Sequence, residues 1–199
     1  MHDPLDKVLT ALGTARAGSS DYDLNPQVKL APGRRLRAAG VLVPVIRTGG
    51  VPHVILTKRA SGLTHHPGQI AFPGGKQDQG DADITATALR EAREEIGLDP
   101  ASVEILGFLP GHETVTGFDM TPVLARIATP FTPVPEAGEV EEVFEVPLAH
   151  LLDPARFRVE RRRWRGDWRC YYTVPYGPYY IWGATARILR VMADMAAPG

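Results

Sequence analysis

Cysteine is almost missing from this chain. Cys170 stands alone among 199 residues, so no internal disulfide can form, and a reducing compartment is expected. No base lies near Cys170 in the sequence, which argues against a cysteine nucleophile. An excess of one charge is missing too. Lys and Arg number 22 against 23 Asp and Glu, for a net charge of -1, so nothing pulls the chain as a whole toward nucleic acid or anionic lipid. Long apolar runs are absent, and none approaches the length of a membrane span. Met1-His2-Asp3-Pro4 has neither a basic start nor an apolar core, so a signal peptide is not expected. Ala196-Ala197-Pro198-Gly199 is not a peroxisomal address, and no internal repeat is visible. With 44% hydrophobic residues, ample for one core, the chain reads as one cytoplasmic domain.

What is present is a concentration of carboxylates. Arg90-Glu91-Ala92-Arg93-Glu94-Glu95-Ile96-Gly97-Leu98 spaces Glu91, Glu94 and Glu95 by three and four residues, which sets them on one face of a helix. Like charges so placed repel unless something offsets them, and hard cations such as Mg²⁺ prefer carboxylate oxygen. Asp83 is placed to cap the helix, with Asp81 near its positive end. Ile84, Ala88, Ala92 and Ile96 mark a buried stripe, and the three glutamates are expected off it. Gly97 suits a left-handed residue just past the last turn. Arg90 can brace Glu91 or Glu94. A solvated acidic face would account for a lone Glu-x-x-Glu-Glu. Upstream, however, Phe72-Pro73-Gly74-Gly75 reads as a glycine loop able to approach a phosphate-bearing ligand closely.

From Gly75 through Leu98 the segment resembles the Nudix box of the Nudix hydrolases, with two departures. Asp81 stands where the first Glu is expected, and one extra residue precedes Arg90. A longer stretch is similar to the motif upstream of the box in coenzyme A pyrophosphatases, a subfamily that also carries the longer, Asp-containing box. It runs from Leu56-Thr57-Lys58-Arg59 through Leu63, His66 and Gly68-Gln69-Ile70-Ala71 to Gly75. Gly117-Phe118, Met120-Thr121-Pro122-Val123 and Ile181 to Ala186 look like that subfamily as well. The resemblance implies Mg²⁺ or Mn²⁺ held by Glu91, Glu94 and Glu95 with the Gly75 carbonyl. It implies a water proton taken by Glu94, Glu95 or Glu139, and Arg90 orienting the glutamates. Arg59, His66, Gln69, Gly74 and Gly75 fall on the substrate side. The implied substrate is coenzyme A or its thioesters, cut to 3′,5′-ADP and 4′-phosphopantetheine. Another nucleoside diphosphate derivative such as ADP-ribose, or a non-catalytic ligand sensor, stays open. The partner is thus a small nucleotide, not nucleic acid or membrane, and a homodimer is left open.

Along the chain, Asp3-Pro4 starts a helix that carries Leu5, Val8, Leu9 and Leu12 and is expected to end at Gly18-Ser19-Ser20. A loop follows to Arg37. Strands are expected at 39–46, 54–57, 69–72, 103–109, 121–127, 143–147, 171–174 and 179–182, a short helix at 150–152, and a final helix at 183–197. This order predicts an α+β fold, and the resemblance implies a Nudix-like α/β/α sandwich with a mixed central sheet. Residues 1–37 would pack on a Nudix domain formed by 38–199.

Three further features carry two readings each. Glu139 sits among Glu136, Glu141 and Glu142 as an exposed loop carboxylate or as an acid facing the box. His65-His66 could ligate a borderline metal, but the carboxylates favour a hard cation, so His66 is left to position substrate or brace the loop. Lys58 and Arg59 are strand-end charges or phosphate contacts. The run Arg158, Arg161, Arg162, Arg163, Arg165 and Arg169, with Trp164 and Trp168, is a solvated hairpin about Gly166-Asp167, or it holds the 3′-phosphate and adenine of coenzyme A.

Overall fold

A computed structural model describes residues 3–13, 17–30, 33–64, 66–164 and 166–197. The four α-helices among the described residues are α1 (Pro4–Leu12), α2 (Ile84–Ile96), α3 (Leu148–Leu151) and α4 (Gly183–Ala196). Eleven strands among the described residues are β1 (Ser19–Ser20), β2 (Arg37–Thr48), β3 (Val51–Arg59), β4 (Ile70–Ala71), β5 (Gly74–Lys76), β6 (Val103–Phe108), β7 (His112–Glu113), β8 (Phe118–Ile127), β9 (Val140–Pro147), β10 (Arg158–Trp164) and β11 (Asp167–Thr173). Nine form one mixed sheet along the path β1-β7-β8-β2-β3-β4, with β5 also on β2, β6 on β8 and β9 on β3. β2 and β8 run parallel, while β2–β3 and β3–β9 are antiparallel. β10 and β11 make a separate hairpin.

The pleat explains how one sheet serves two cores. Val41, Val43 and Val45 of β2 face one side with Val54, Leu56, Leu124 and Val146, against α1, α3 and α4. The alternate residues Leu42, Ile46, Ile55, Val123 and Ala125 face α2 through Ala88, Ala92 and Ile96. Strands buried on both faces read as continuous apolar runs, which is why 41–46 and 54–56 lack alternation. The mixed α+β sandwich expected from the sequence is the observed architecture. None of the described helices is long and apolar enough to cross a membrane.

Several boundaries differ from expectation. The first helix stops at Leu12 with Gly13 as its cap, and Ser19–Ser20 pairs in parallel with His112–Glu113 instead. Gly74–Lys76 is not a loop. It is a strand on Val41, Gly40 and Ala39, possible because Gly74 lacks a Cβ that would fall 2.5 Å from the Gly40 carbonyl oxygen. Residues 179–182 make isolated bridges and no strand; Tyr176 pairs with Tyr179 and Thr173 with Trp182.

Candidate active site

α2 begins where Asp83 accepts a hydrogen bond from the Ala86 N–H at 2.8 Å, and it ends at Gly97 with φ of 71°. Both caps follow the local sequence signals. The glutamates do not share one environment, however. Glu94 is exposed, Glu91 is half-buried and Glu95 is only 5% exposed. The expectation that all three lie off the buried stripe therefore fails for Glu95. One residue before Ile96, it turns under the neighbouring strand β5, where the Gly74 N–H donates to its Oε2 at 3.1 Å.

Glycines let the strands β2 and β5 meet the helix. A Cβ on Gly75 would lie 2.6 Å from the Glu91 carboxyl carbon, and one on Gly40 would lie 2.5 Å from the Ile84 carbonyl oxygen. The absence of side chains at these points brings β2, β5 and α2 into contact.

Arg90 ties the platform together. Its Nε and Nη2 fork onto Asp81 at 2.9 and 3.0 Å, its Nη1 lies 2.9 Å from Glu91 and 3.0 Å from Glu94, and Nη2 donates to the Lys76 carbonyl at 3.3 Å. Asp81 also accepts from the Asp78 N–H and the Thr87 hydroxyl, each at 2.9 Å. The Arg90 guanidinium foremost, with these donors, holds the Asp81 carboxyl far below its usual range. Asp81 is thus Arg90's principal anchor, a role that spacing alone did not single out.

Burial pushes Glu95 up to about 8. The charges of Glu91 and Glu139 add to that rise, and the Gly74 N–H and Arg59 oppose it. Glu91 is raised first by burial as well, with Arg90 opposing. Glu139, exposed in the turn before β9, is close enough for its charge to act on both. Its carbonyl accepts from the Ala60 N–H at 2.8 Å, fixing that turn beside the end of β3. So the charges of Glu91 and Glu139 act on Glu95, while the exposed Glu94 is held by Arg90 at 3.0 Å.

The donors on offer, carboxylate and carbonyl oxygens, are those a hard divalent cation takes. Burial foremost, with the charge of neighbouring carboxylates, disfavours the ionised forms of Glu91 and Glu95, and a divalent cation would offset that. Among the described residues no three acidic, histidine or cysteine side chains yet converge as a finished ligand cluster. Arg90 is the cation that Glu91 and Glu94 already face, so taking a metal requires those side chains to turn.

Beside the platform opens a cavity of about 310 Å³. Arg59, His66 and Gln69 line it, followed by Ala71, three residues before Gly74. His66 has φ of 54°, the left-handed region that a non-glycine residue adopts infrequently. The turn is closed by Gln69 N–H to the His66 carbonyl at 3.2 Å and Gly68 N–H to the Arg59 carbonyl at 3.1 Å. Lys58 turns away to pair with Glu141 at 2.6 Å. His65 and Arg165 lie outside the described residues. The opposite wall includes Asp21 and Asn25 from the early loop and Arg162, Arg169 and Trp182. Asp21 and Asn25 carry no spacing signal, and only the folded chain brings them here.

Comparison with known proteins identifies the family. The NUDIX domain model matches residues 36–166. A Citrobacter koseri protein named uncharacterized Nudix hydrolase NudL is 42% identical over 170 residues, covering 85% of this chain and 88% of its own length. A protein of the same name from Cronobacter sakazakii is 43% identical over 189 residues, covering 95% and 93%. Among solved structures, the Nudix hydrolase RenU from M. smegmatis is 26% identical over 56% of this chain and 70% of its own, with a TM-score of 0.48. The chain belongs to the Nudix family of hydrolases, enzymes that act on pyrophosphate bonds.

Proposed function

We propose that the chain hydrolyses the diphosphate of coenzyme A or its thioesters, releasing 3′,5′-ADP and the matching 4′-phosphopantetheine. The observation that carries this reading is the union of two features. A carboxylate platform is packed against Gly74 and Gly75, and a separate cavity is lined by Arg59, whose charge acts on Glu95 of the platform. The segment that carries the coenzyme A pyrophosphatase resemblance supplies Arg59, His66, Gln69 and Ala71 to the cavity and Gly74 and Gly75 to the platform.

Mg²⁺ or Mn²⁺ would be held by Glu91, Glu94, Glu95 and the Gly75 carbonyl. When bound, such a cation neutralises diphosphate oxygens and makes a bound water acidic. The protein's own part is positional. Arg90, anchored on Asp81, orients Glu91 and Glu94. The Gly74 N–H orients Glu95. Glu94, Glu95 or Glu139 takes the water proton. Arg59, His66 and Gln69 meet substrate from the cavity side, along the Gly74-Gly75 backbone.

A hydrolysis screen with and without Mg²⁺ or Mn²⁺, read by mass spectrometry, tests this. Metal-dependent release of 3′,5′-ADP from coenzyme A is expected, with ADP-ribose the poorer substrate. Faster cleavage of ADP-ribose would reassign the substrate. Failure of metal to promote turnover of either would leave a ligand sensor.

A further inference from the structure

The cavity beside the platform has an unusual charge arrangement. Arg59, Arg162 and Arg169 all line it, and one carboxylate, Asp21, does so. Asp21 is already engaged, with Oδ1 3.2 Å from the His112 ring and Oδ2 accepting from the Val115 N–H at 2.8 Å. Arg162 and Arg169 face each other across the β10–β11 hairpin as direct partners. Like charges in that position destabilise a hairpin. Neither makes an ion pair among the described residues. Arg162 lies 4.1 Å over the Trp182 ring, and Arg169 lies 4.7 Å over Trp164. The Arg169 Nε and Nη1 are shielded from solvent with no hydrogen-bond acceptor among the described residues. A shielded charge left without an acceptor is costly, and arginine forks are suited to the paired oxygens of a phosphate.

Two neighbours reinforce this. Gly183 and Ala184, in the first turn of α4, line the same cavity, and Trp182 at its N-cap gives no side-chain acceptor. Free N–H groups at a helix start favour an anion. Asn25 fixes the hairpin in place, its amide donating to the Cys170 carbonyl at 2.9 Å and its oxygen accepting the Cys170 N–H at 2.8 Å. The arginine pair is therefore held against the body of the protein and does not sit on a free hairpin.

We propose that this cavity is a subsite for a nucleoside end that carries its own phosphate outside the diphosphate. Arg162 and Arg169 grip that phosphate, with the base against the planar Arg162–Trp182 wall. At about 310 Å³ the cavity suits one end of a dinucleotide-sized substrate, near the lower bound of roughly 300 Å³ for ligand pockets. Arg59, whose charge acts on Glu95, marks the path from this subsite to the platform. The assignment rests on the coenzyme A reading, because that substrate bears such a phosphate on its ribose.

Two measurements on the full chain separate this proposal from the reading it rests on. In the first, calorimetry without metal compares adenosine 3′,5′-bisphosphate with adenosine 5′-monophosphate. Wild type should prefer the bisphosphate by about tenfold or more, and Arg169→Gln should erase that preference, as expected when a charge-assisted hydrogen bond is lost. Arg162→Gln, at an exposed residue, makes the same test if the Arg169 variant does not fold. In the second, specificity constants for coenzyme A and dephospho-coenzyme A are compared with Mg²⁺. Their ratio should fall toward one in either variant, while Glu91→Gln lowers both substrates in proportion. No bisphosphate preference in wild type, or a preference and ratio intact in both variants, overturns the subsite. Failure to cleave coenzyme A, with the bisphosphate preference present and arginine-dependent, overturns the coenzyme A reading and upholds the subsite.

Discussion

The acidic face of α2 and the basic face of the β10–β11 hairpin both concentrate like charge, and they are stabilised in opposite ways. On α2 the compensation is local. Arg90 reaches Glu91 and Glu94 of its own helix, and Asp81 just before that helix, at 3.0 Å or less, so the acids are organised by a nearby cation of the chain. On the hairpin Arg162 and Arg169 stand opposite each other and rest on Trp182 and Trp164, with no carboxylate partner among the described residues. The first arrangement is complete enough to hold its geometry without a ligand. The second leaves its charge for something from outside the described chain. A site for breaking a diphosphate needs both, because it must hold cations on one side and receive anionic groups on the other.

The comparison breaks most severely at the platform. Glu91→Gln and Glu95→Gln keep the shape and remove the charge, and each should lower turnover by roughly 10²- to 10³-fold or more, the scale of losing a preorganised electrostatic group. Near-normal rates at saturating Mg²⁺ would dissolve the platform assignment.

Arg90→Ala tests the local compensation itself. Loss of a group that orients ligands costs roughly 10- to 100-fold in metal affinity or activity. The variant should therefore fall between wild type and the glutamate variants and recover in part with added Mg²⁺. Asp81→Asn should move the same way by a smaller factor, since Arg90 keeps Glu91 and Glu94. An Arg90 variant insensitive to metal concentration would mean that Arg90 serves the fold alone.

The helix was readable because its determinants are local. Asp83, Gly97 and the four-residue spacing from Ile84 to Ile96 each act within a turn or two of themselves. Central strands were readable for a similar reason, as runs such as 41–46 have few alternatives. The burial of Glu95 was not readable, since it depends on where Gly74 lies, and Gly74 is placed by pairing with Val41 thirty-three residues earlier. Likewise the arginine run was visible, but the pairing of Arg162 with Arg169, against Trp182 and beside Asp21, is a tertiary result. Aromatic density at 179–182 suggested a strand; the chain there bends through isolated bridges because it must enter α4.

Gly75→Ala sharpens the contrast at lower cost. The added Cβ would meet the Glu91 carboxylate, the movable end of a side chain, so the fold should persist with stability changed by no more than about 1 kcal/mol. Displacing that carboxylate should cost about tenfold in rate, as a misplaced catalytic group does. Gly74→Ala, by contrast, meets the Gly40 carbonyl and the Val41 backbone and should cost stability first. A fully active Gly75→Ala enzyme would show that the position of Glu91 is not demanding.

The smallest expected effect is on stability in EDTA, and its sign is definite. The Glu95 carboxyl is raised from its ordinary value to about 8, chiefly by burial. Between roughly pH 4.5 and 8 the folded state then holds a proton that the unfolded chain has released, so stability falls as pH rises through this window. The contribution is full below the unfolded pKa and gone above about pH 8. Glu95→Gln removes that titration. Its melting temperature in EDTA should exceed that of wild type at pH 8 by several degrees, given roughly 2–4 °C per kcal/mol for a chain of this size. The gap should narrow toward pH 5. Adding Mg²⁺ should raise wild type and leave the variant nearly unmoved, because binding to the folded state alone adds stability. A wild-type melting curve that rises from pH 5 to 8 in EDTA, with the variant following it in parallel, would show that Glu95 is not held as a crowded, buried acid. The compensation on α2 would then be complete without it.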